Sequence, residues 1–349
     1  MLKSIAASTR HTMIIRYDGS LWAFGANEHG QLGNGQTDES FLPVEILQNV
    51  RYISTIGDHT MAILNDNSLW GWGDNSFGQI GDGTSTLHDS KYNIRENNDR
   101  NIPVKVLDNV HSVSAGRFHT LAIKKDNTLW AWGYNKYGQL MNGTNKNSLF
   151  PMQIMKNVRE VFAGKYNSFV LLTDGTLWAC GFNKYGHLGD GTTKDKLTPV
   201  KVMSSVKSVS LGIRHTVILC LDGSVFCCGD NKMFQIGDIS KTAYTKPIKV
   251  LQDCALISTS GFHSMALKRD GNLWGWGNNQ YHQISDVHDK YVQKPTFVTK
   301  DIADISVGEY HTVIINNKDY VVGFGRNQFG QLGNGTNINR KEHFFIMKR

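Results

Sequence analysis

A 48-residue repeat runs through the chain and constrains its fold more than any other feature. A histidine followed by Thr or Ser recurs at one phase of the repeat, with Asn167 filling the single gap: His11, His59, His119, His215, His263 and His311. The prolines keep the same period at another phase: Pro43, Pro103, Pro151, Pro199, Pro247 and Pro295. One step in each series is 60 residues long, so we place a 12-residue insertion within 85–102, after the second repeat. Its polar sequence predicts an exposed loop.

Each repeat contains the same apolar segments. In the third repeat, Val110–Ala115, His119–Lys124 and Leu129–Gly133 are predicted strands. A short fourth strand around Pro103–Val106 is predicted at a sheet edge, because proline cannot donate to a β-ladder. The N-terminal Leu2–Ala7 matches a first strand, and the C-terminal Phe344–Met347 matches an edge strand. Whether this last strand joins the first repeat is left open.

Asp-Gly or Asp-Asn pairs separate the second and third strands in six repeats, whereas the seventh has Asn317-Lys318-Asp319. They predict two-residue type I′ turns, which place Ile15 opposite Trp22 and Met13 opposite Phe24. The tryptophans then form two columns, both expected in the core: Trp22, Trp70, Trp130, Trp178 and Trp274 in one, and Trp72, Trp132 and Trp276 in the other. The opposite strand face is also apolar, as stacked blades require.

Seven copies of an all-β unit close best into a ring. We therefore predict an all-β, seven-bladed β-propeller formed by residues 1–349 as a single domain. Each 48-residue repeat supplies one blade of three to four antiparallel strands.

Composition narrows the function classes. The net charge is +7 and the pI is about 9.0, but no run of five Lys or Arg occurs, so nucleic-acid binding is not indicated. The five cysteines show no C-x-x-C spacing and are interpreted as free, buried thiols of a reducing compartment. No apolar run of signal-peptide or membrane-spanning length occurs. We expect a cytoplasmic monomer, although the mature form of an exported protein would look the same.

The pattern Gly25-x-Asn27-x-x-Gly30-Gln31-Leu32-Gly33-x-Gly35 recurs at 73–83, 133–143, 181–191 and 325–335. It resembles the repeat of the regulator of chromosome condensation family, over essentially the whole chain. The resemblance implies a seven-bladed propeller but leaves the function open. Members include a nucleotide exchange factor for a small GTPase, an ultraviolet-B photoreceptor, parts of ubiquitin ligases and a secreted inhibitor of β-lactamase.

Two rings of loop residues are the candidate partner-binding positions. Strand order places the loop before each histidine and the loop after each third strand on one face of the disc, which we call the loop face, and the Asp-Gly turns on the other. The first ring precedes the histidines and varies in residue type: Arg10, Asp58, Phe118, Tyr166, Arg214, Phe262 and Tyr310. The second ring is mostly aromatic: His29, Phe77, Tyr137, Tyr185, Met233, Tyr281 and Phe329. Aromatic residues and arginine are the types enriched at binding hot spots.

Charge is unevenly distributed over these loops. Repeats three to five supply the basic residues Arg117, Lys136, Lys165, Lys184, Arg214 and Lys232, and the other side supplies Glu28, Asp58, Asp74 and Glu309, interrupted by Arg10 and Arg326. A bipolar face would orient a partner. Repeats five and six depart from the pattern, because Phe234, His282 and Ser285 replace loop glycines. These replacements are expected to change the loops.

The histidine column is interpreted as a repeated hydrogen bond that fixes the loop, since six equivalent histidines cannot all form one active site. No catalytic, cofactor-binding or metal-binding motif occurs, so we expect neither an enzyme nor a cofactor or metal. The hypothesis is a protein-binding propeller, inhibitor-like or scaffold-like. Its partner would be another protein, such as a small GTPase or a secreted enzyme, and not a membrane. The alternatives are a guanine-nucleotide exchange factor and a protein that binds chromatin or acidic surfaces.

Overall fold

Seven four-stranded antiparallel sheets form a ring in the computed structural model, which describes residues 2–89, 94–286 and 290–348. Each sheet is one blade, and each sheet except the second consists of consecutive strands. The all-β, seven-bladed propeller predicted from the repeat is therefore confirmed. Within these ranges no helix has the length and apolar character needed to cross a membrane.

The strands occupy equivalent positions in every blade. The first, innermost strands are β1 (Leu2–Ala7), β5 (Val50–Thr55), β11 (Val110–Ala115), β15 (Val158–Ala163), β19 (Val206–Leu211), β23 (Cys254–Thr259) and β27 (Ile302–Val307). The second strands are β2 (His11–Arg16), β6 (His59–Leu64), β12 (His119–Lys124), β16 (Asn167–Leu172), β20 (His215–Cys220), β24 (His263–Lys268) and β28 (His311–Asn316). The third strands are β3 (Leu21–Gly25), β7 (Leu69–Gly73), β13 (Leu129–Gly133), β17 (Thr176–Gly181), β21 (Val225–Asp230), β25 (Leu273–Asn278) and β29 (Tyr320–Gly325). The outer strands are β4 (Ser40–Leu47), β10 (Arg100–Leu107), β14 (Ser148–Met155), β18 (Lys196–Ser204), β22 (Ala243–Leu251), β26 (Tyr291–Thr299) and β30 (Arg340–Lys348).

The insertion contains a small hairpin of β8 (Leu87–Asp89) and β9 (Ile94–Glu96), which pair antiparallel. The prediction of a plain loop was therefore wrong for this segment. Residues 90–93 of the insertion lie outside the described residues. The proline-containing strands do lie at the outer sheet edge as predicted, and they are longer than expected, at eight residues in β10.

The turn between the second and third strands has three residues rather than two, so the predicted type I′ turn was wrong. Gly19 N–H donates to the Arg16 carbonyl at 3.0 Å, and only Gly19, at φ +84°, takes the left-handed conformation. The Asp18 carboxylate accepts from Ser20 N–H at 2.9 Å and stabilises this longer turn. Blade 7 forms the same turn, with Asp319 at φ +64°.

The third turn residue shifts the strand register by one position. Trp22 pairs with Ile14 and Phe24 with Thr12, not with Ile15 and Met13 as predicted. Blade 5 has the same register, with Cys227 paired with Val217. All five cysteines are buried and free.

The two tryptophan columns differ in burial. Trp72, Trp132 and Trp276 are fully buried, which confirms that this column is core. The other column is only half-buried, because it lies near the turns, where Trp22 Nε1 donates to Ser20 Oγ at 3.0 Å. Each apolar core cluster spans two neighbouring blades, as with Met61 of blade 2 and Trp132 of blade 3.

Hydrogen bonds between blades repeat around the ring. Thr120 Oγ1 donates to the carbonyl of Gln79 in the preceding blade at 2.8 Å, so the same hydroxyl accepts from His59 Nε2, 3.1 Å away. Trp132 Nε1 donates to that same carbonyl at 2.9 Å. His59 therefore joins neighbouring blades rather than fixing its own loop as predicted. In blade 1 the prediction holds in part, because His11 Nδ1 also lies 2.7 Å from Ser8 Oγ of its own loop. Burial lowers the pKa of His59 and His119 to about 3.

The ring closes by packing of complete blades. β1 pairs with β2 in blade 1, and β30 pairs with β29 in blade 7, so the C-terminal strand does not join the first sheet. Instead Ala7 N–H donates to Ser306 Oγ at 2.8 Å, and Thr12 Oγ1 lies 3.2 Å from His311 Nε2. The junction of blades 7 and 1 thus repeats the contacts of the other junctions.

Candidate protein-binding face

Backbone hydrogen bonds hold the first-ring residues in position. In every blade, the carbonyl of the first-ring residue accepts from the N–H of the residue after the third-strand glycine, as from Tyr134 to Phe118 at 2.9 Å. The glycine is required by this close approach, because a Cβ on Gly133 would lie 2.7 Å from the Phe118 carbonyl oxygen. The two loops of one blade are thereby joined at the loop face, as strand order predicted.

Buried glutamines hold the second ring. The side-chain oxygen of Gln79 accepts from Phe77 N–H at 2.8 Å, and that of Gln139 from Tyr137 N–H at 3.1 Å. The same bond recurs in blades 1, 5, 6 and 7. The side chains of both rings are half-buried on these fixed backbones.

The structure brings aromatic residues of blades 2 to 4 together in one continuous arc, in which neighbouring ring centroids lie within 6.3 Å. Phe118 stacks on Tyr166 at 5.6 Å, with 24° between their planes. The members are Phe77, Phe118, Tyr134, Tyr137, Tyr166, Phe182 and Tyr185. We call this group the aromatic arc.

Tyr134 and Phe182 were missed by the sequence analysis. They follow the third-strand glycine, at a position that varies between blades: Ala26, Asp74, Tyr134, Phe182, Asp230, Asn278 and Arg326. That variability was the available signal, since a position that only stabilises the blade would be expected to repeat.

Arginines extend the arc around the face. Arg214 lies over the Tyr185 and Phe262 rings, 4.6 and 5.7 Å from their centroids. On the other side of the disc, Arg326 lies over Tyr281, Tyr310 and Phe329, and Arg10 also lies over Phe329. Such contacts hold a guanidinium flat against a ring while leaving N–H groups free to donate.

A third set of positions lies one residue before the first ring: Thr9, Gly57, Arg117, Lys165, Ile213, Gly261 and Glu309. Five of them, all except the two glycines, line a small pocket where residues of opposite blades meet. Arg117 and Glu309 approach to 4.0 Å across this pocket. Burial, together with Arg117, lowers the pKa of Lys165. The basic Arg117 and Lys165 therefore lie on the inner side of the aromatic arc.

The remaining charges are partly paired. Lys136, Lys184 and Lys232 are exposed in the loops of blades 3, 4 and 5 and form no ion pair with any residue in the described ranges. In blades 1 and 2, Arg10 bonds both Glu28 at 2.7 Å and Asp58 at 3.3 Å. Arg10 therefore pairs with the acidic side chains of these two blades, which we call the acidic sector, rather than interrupting them. His29 bonds Asp99 at 2.8 Å in the same sector.

The non-glycine loop residues keep the left-handed conformation of the glycines they replace. Phe234 and His282 both have φ +60°, and their N–H groups donate to Asn231 and Asn279 as Gly138 N–H does to Asn135. The expectation that these replacements change the loop was wrong at these two positions. The buried Asn and Gln anchors impose the conformation despite the steric cost of a Cβ.

Comparison with known proteins agrees with this architecture. The model of the RCC1-like domain matches residues 1–195, and two models of the regulator of chromosome condensation (RCC1) repeat match 174–219 and 270–315, and 206–235, 254–283 and 302–331. The ultraviolet-B receptor UVR8 of Arabidopsis thaliana is 28% identical over 155 residues. That match covers 43% of this chain and only 33% of the receptor.

Solved structures of low sequence identity share the fold. Human WBSCR16 has a TM-score of 0.81 at 19% identity, covering 94% of both chains. Prp20p of Saccharomyces cerevisiae has a TM-score of 0.76 at 20% identity, covering 88% of this chain and 80% of that one. At these identities the likeness establishes the architecture alone.

Proposed function

The chain belongs to the regulator of chromosome condensation (RCC1) repeat family, and we propose that it is a non-enzymatic propeller that binds another protein through its loop face. The partner would lie on the aromatic arc and on the arginine-covered rings that extend it. The other surfaces of the disc would not contact the partner.

The aromatic arc is the observation that carries this proposal. Four of its residues, Phe118, Tyr134, Tyr166 and Phe182, occupy positions that other blades fill with Arg, Asp, Ala or Asn, so the blade does not require aromatic side chains there. They are half-buried on loops whose backbone N–H and carbonyl groups are bonded to the scaffold. Rigid aromatic side chains lose little entropy on docking and are enriched at hot spots.

The charge pattern supports a partner of defined orientation. The exposed lysines of blades 3 to 5 lie beside the arc, and the acidic sector lies across the disc in blades 1 and 2. Such an arrangement favours one docking direction and accelerates encounter with a partner of complementary charge.

Photoreception through tryptophans on the loop face is not supported. Trp72, Trp132 and Trp276 are fully buried between blades, and the other five tryptophans lie beside the turns of the opposite face. Exchange-factor activity would use the same loop face, so it depends on whether the partner is a small GTPase and is tested once the partner is known.

Affinity capture from the native cell tests the proposal. The baits are the wild-type chain, the variant Phe118→Ala/Tyr166→Ala and the control Tyr17→Ala/Leu221→Ala, whose substituted residues are exposed in turns of the opposite face. We expect a partner retained by wild type and control but lost from the arc variant. Equal retention by all three would refute the loop face as the binding site. If the partner is a small GTPase, release of a labelled nucleotide separates exchange from simple binding.

A further inference from the structure

One histidine and two aspartates meet on the loop face at the junction of blades 1 and 2. His29 Nδ1 lies 2.8 Å from Asp99 Oδ2, and the potential ligand atoms of His29, Asp74 and Asp99 all lie within 4.8 Å of one another. One imidazole nitrogen with two carboxylates is a donor set suited to first-row divalent metals such as Zn²⁺.

Neighbouring groups orient both carboxylates. Asp99 Oδ1 accepts from Asn75 N–H and from the Thr86 hydroxyl, each at 3.0 Å, which leaves Oδ2 directed at His29. Asp74 Oδ1 accepts from Ser76 N–H at 2.9 Å and from the Ser76 hydroxyl at 2.5 Å. In metal sites such outer hydrogen bonds hold the ligands in the binding geometry.

Asp74 is buried and forms no ion pair within the described residues. Its exposed fraction is 5%, and across the described ranges no donor reaches its second carboxylate oxygen and no cation pairs with it. The guanidinium of Arg10 in the same two blades bonds Glu28 and Asp58. A buried carboxylate without a paired cation is costly.

The other blades show that the fold does not require these three residue types. The position of His29 is otherwise Phe, Tyr or Met. That of Asp74 is Ala in blade 1 and Tyr or Phe in blades 3 and 4. That of Asp99 is Asn in blades 3 and 7, where Asn147 and Asn339 accept the same backbone N–H bond. The three metal-ligating types coincide at one junction, beside the insertion.

We propose that His29, Asp74 and Asp99 bind one divalent transition-metal ion of the zinc class. Three protein ligands would leave coordination positions open toward the loop face. The site does not include any residue of the aromatic arc. The metal-binding proposal can therefore be refuted or supported independently of the proposed function.

Calorimetric titration of the full chain with Zn²⁺, after removal of metal by chelation, tests the site. The variants His29→Phe, Asp74→Ala and Asp99→Asn each introduce a residue that another blade carries at the same position, so they should fold. The matched controls are Asp230→Ala and Asp195→Asn, the equivalent acids of blades 5 and 4. The buried thiols are unchanged in every protein, so zinc bound to cysteine would not respond to these substitutions.

We expect one Zn²⁺ per chain and a loss of affinity of about tenfold or more in each site variant, with both controls unchanged. Mg²⁺ should bind far more weakly, since it prefers oxygen ligands alone. Absence of stoichiometric zinc binding, or equal binding by His29→Phe and the wild-type chain, would overturn the proposal. A melting curve for each variant confirms that the protein titrated is folded.

Discussion

Acidification should unfold this propeller at a mildly acidic pH, because seven histidines are buried in the neutral form. Burial lowers the pKa of His59, His119, His215, His263 and His311 to about 3, and that of His11 and His187 to about 4. In the unfolded chain each returns to about 6.5. Because the folded-state pKa is the lower one, the unfolded state binds more protons below pH 6.5. Stability is therefore present above that pH and is lost as the pH falls toward 4 and 3.

The magnitude follows from proton linkage. Between pH 7 and pH 6 each such histidine costs a little under about 1 kcal/mol, so seven cost about 5 kcal/mol, a large part of the stability of an ordinary domain. Denaturant titrations at the two pH values, followed by circular dichroism, measure this difference. His119→Asn introduces the residue that blade 4 carries as Asn167. It should reduce the difference in unfolding free energy between the two pH values by the contribution of one histidine. A free energy of unfolding that changes by less than about 1 kcal/mol over this range would refute the argument that the ring histidines are neutral and buried.

Three further predictions concern the scaffold. Trp132→Ala should destabilise the fold by about 3–5 kcal/mol, measured by denaturant titration, because the ring is fully buried and its Nε1 bonds the preceding blade. A loss below about 1 kcal/mol would show that this side chain is not needed to hold the two blades together. A thiol titration of unfolded, unreduced protein should count all five cysteines as free, and a count of three or one would reveal disulfides. Deletion of residues 87–96 should leave the melting temperature within a few degrees of wild type, since surface-loop length has little effect on stability, whereas a large decrease would show that the β8–β9 hairpin supports blade 2.

The strand bounds could be predicted accurately from the repeat, because each blade buries both faces of its sheet in the same way. The predicted bounds of β11, β12 and β13 match the structure, as does the position of the proline strands at the outer edge. The hairpin register was wrong by one residue. The Asp-Gly pair is compatible with a two-residue or a three-residue turn, and the bond from Ser20 N–H to the Asp18 carboxylate, which favours the longer one, is not visible in the apolar pattern.

The candidate face could be predicted in part. Variation at the first ring indicated positions that the fold leaves free, and the structure places all of them on the loop face. The arc itself depends on side-chain directions across blade boundaries, which sequence spacing does not give. The group of His29, Asp74 and Asp99 was unpredictable for the same reason. The two aspartates lie in separate segments of blade 2, and His29 of blade 1 meets them only because blades 1 and 2 pack side by side.

The central claim is that the aromatic arc binds a partner and the buried tryptophans do not. The most direct test combines a partner titration with a melting curve for Phe118→Ala/Tyr166→Ala and for Trp132→Ala. We predict that the arc variant weakens binding by at least about 30-fold, equivalent to 2 kcal/mol, and changes stability by about 1 kcal/mol or less. Trp132→Ala should do the reverse, losing stability while binding normally when folded. An arc variant that melts early yet binds normally once folded would show that these aromatic residues only pack the loops together.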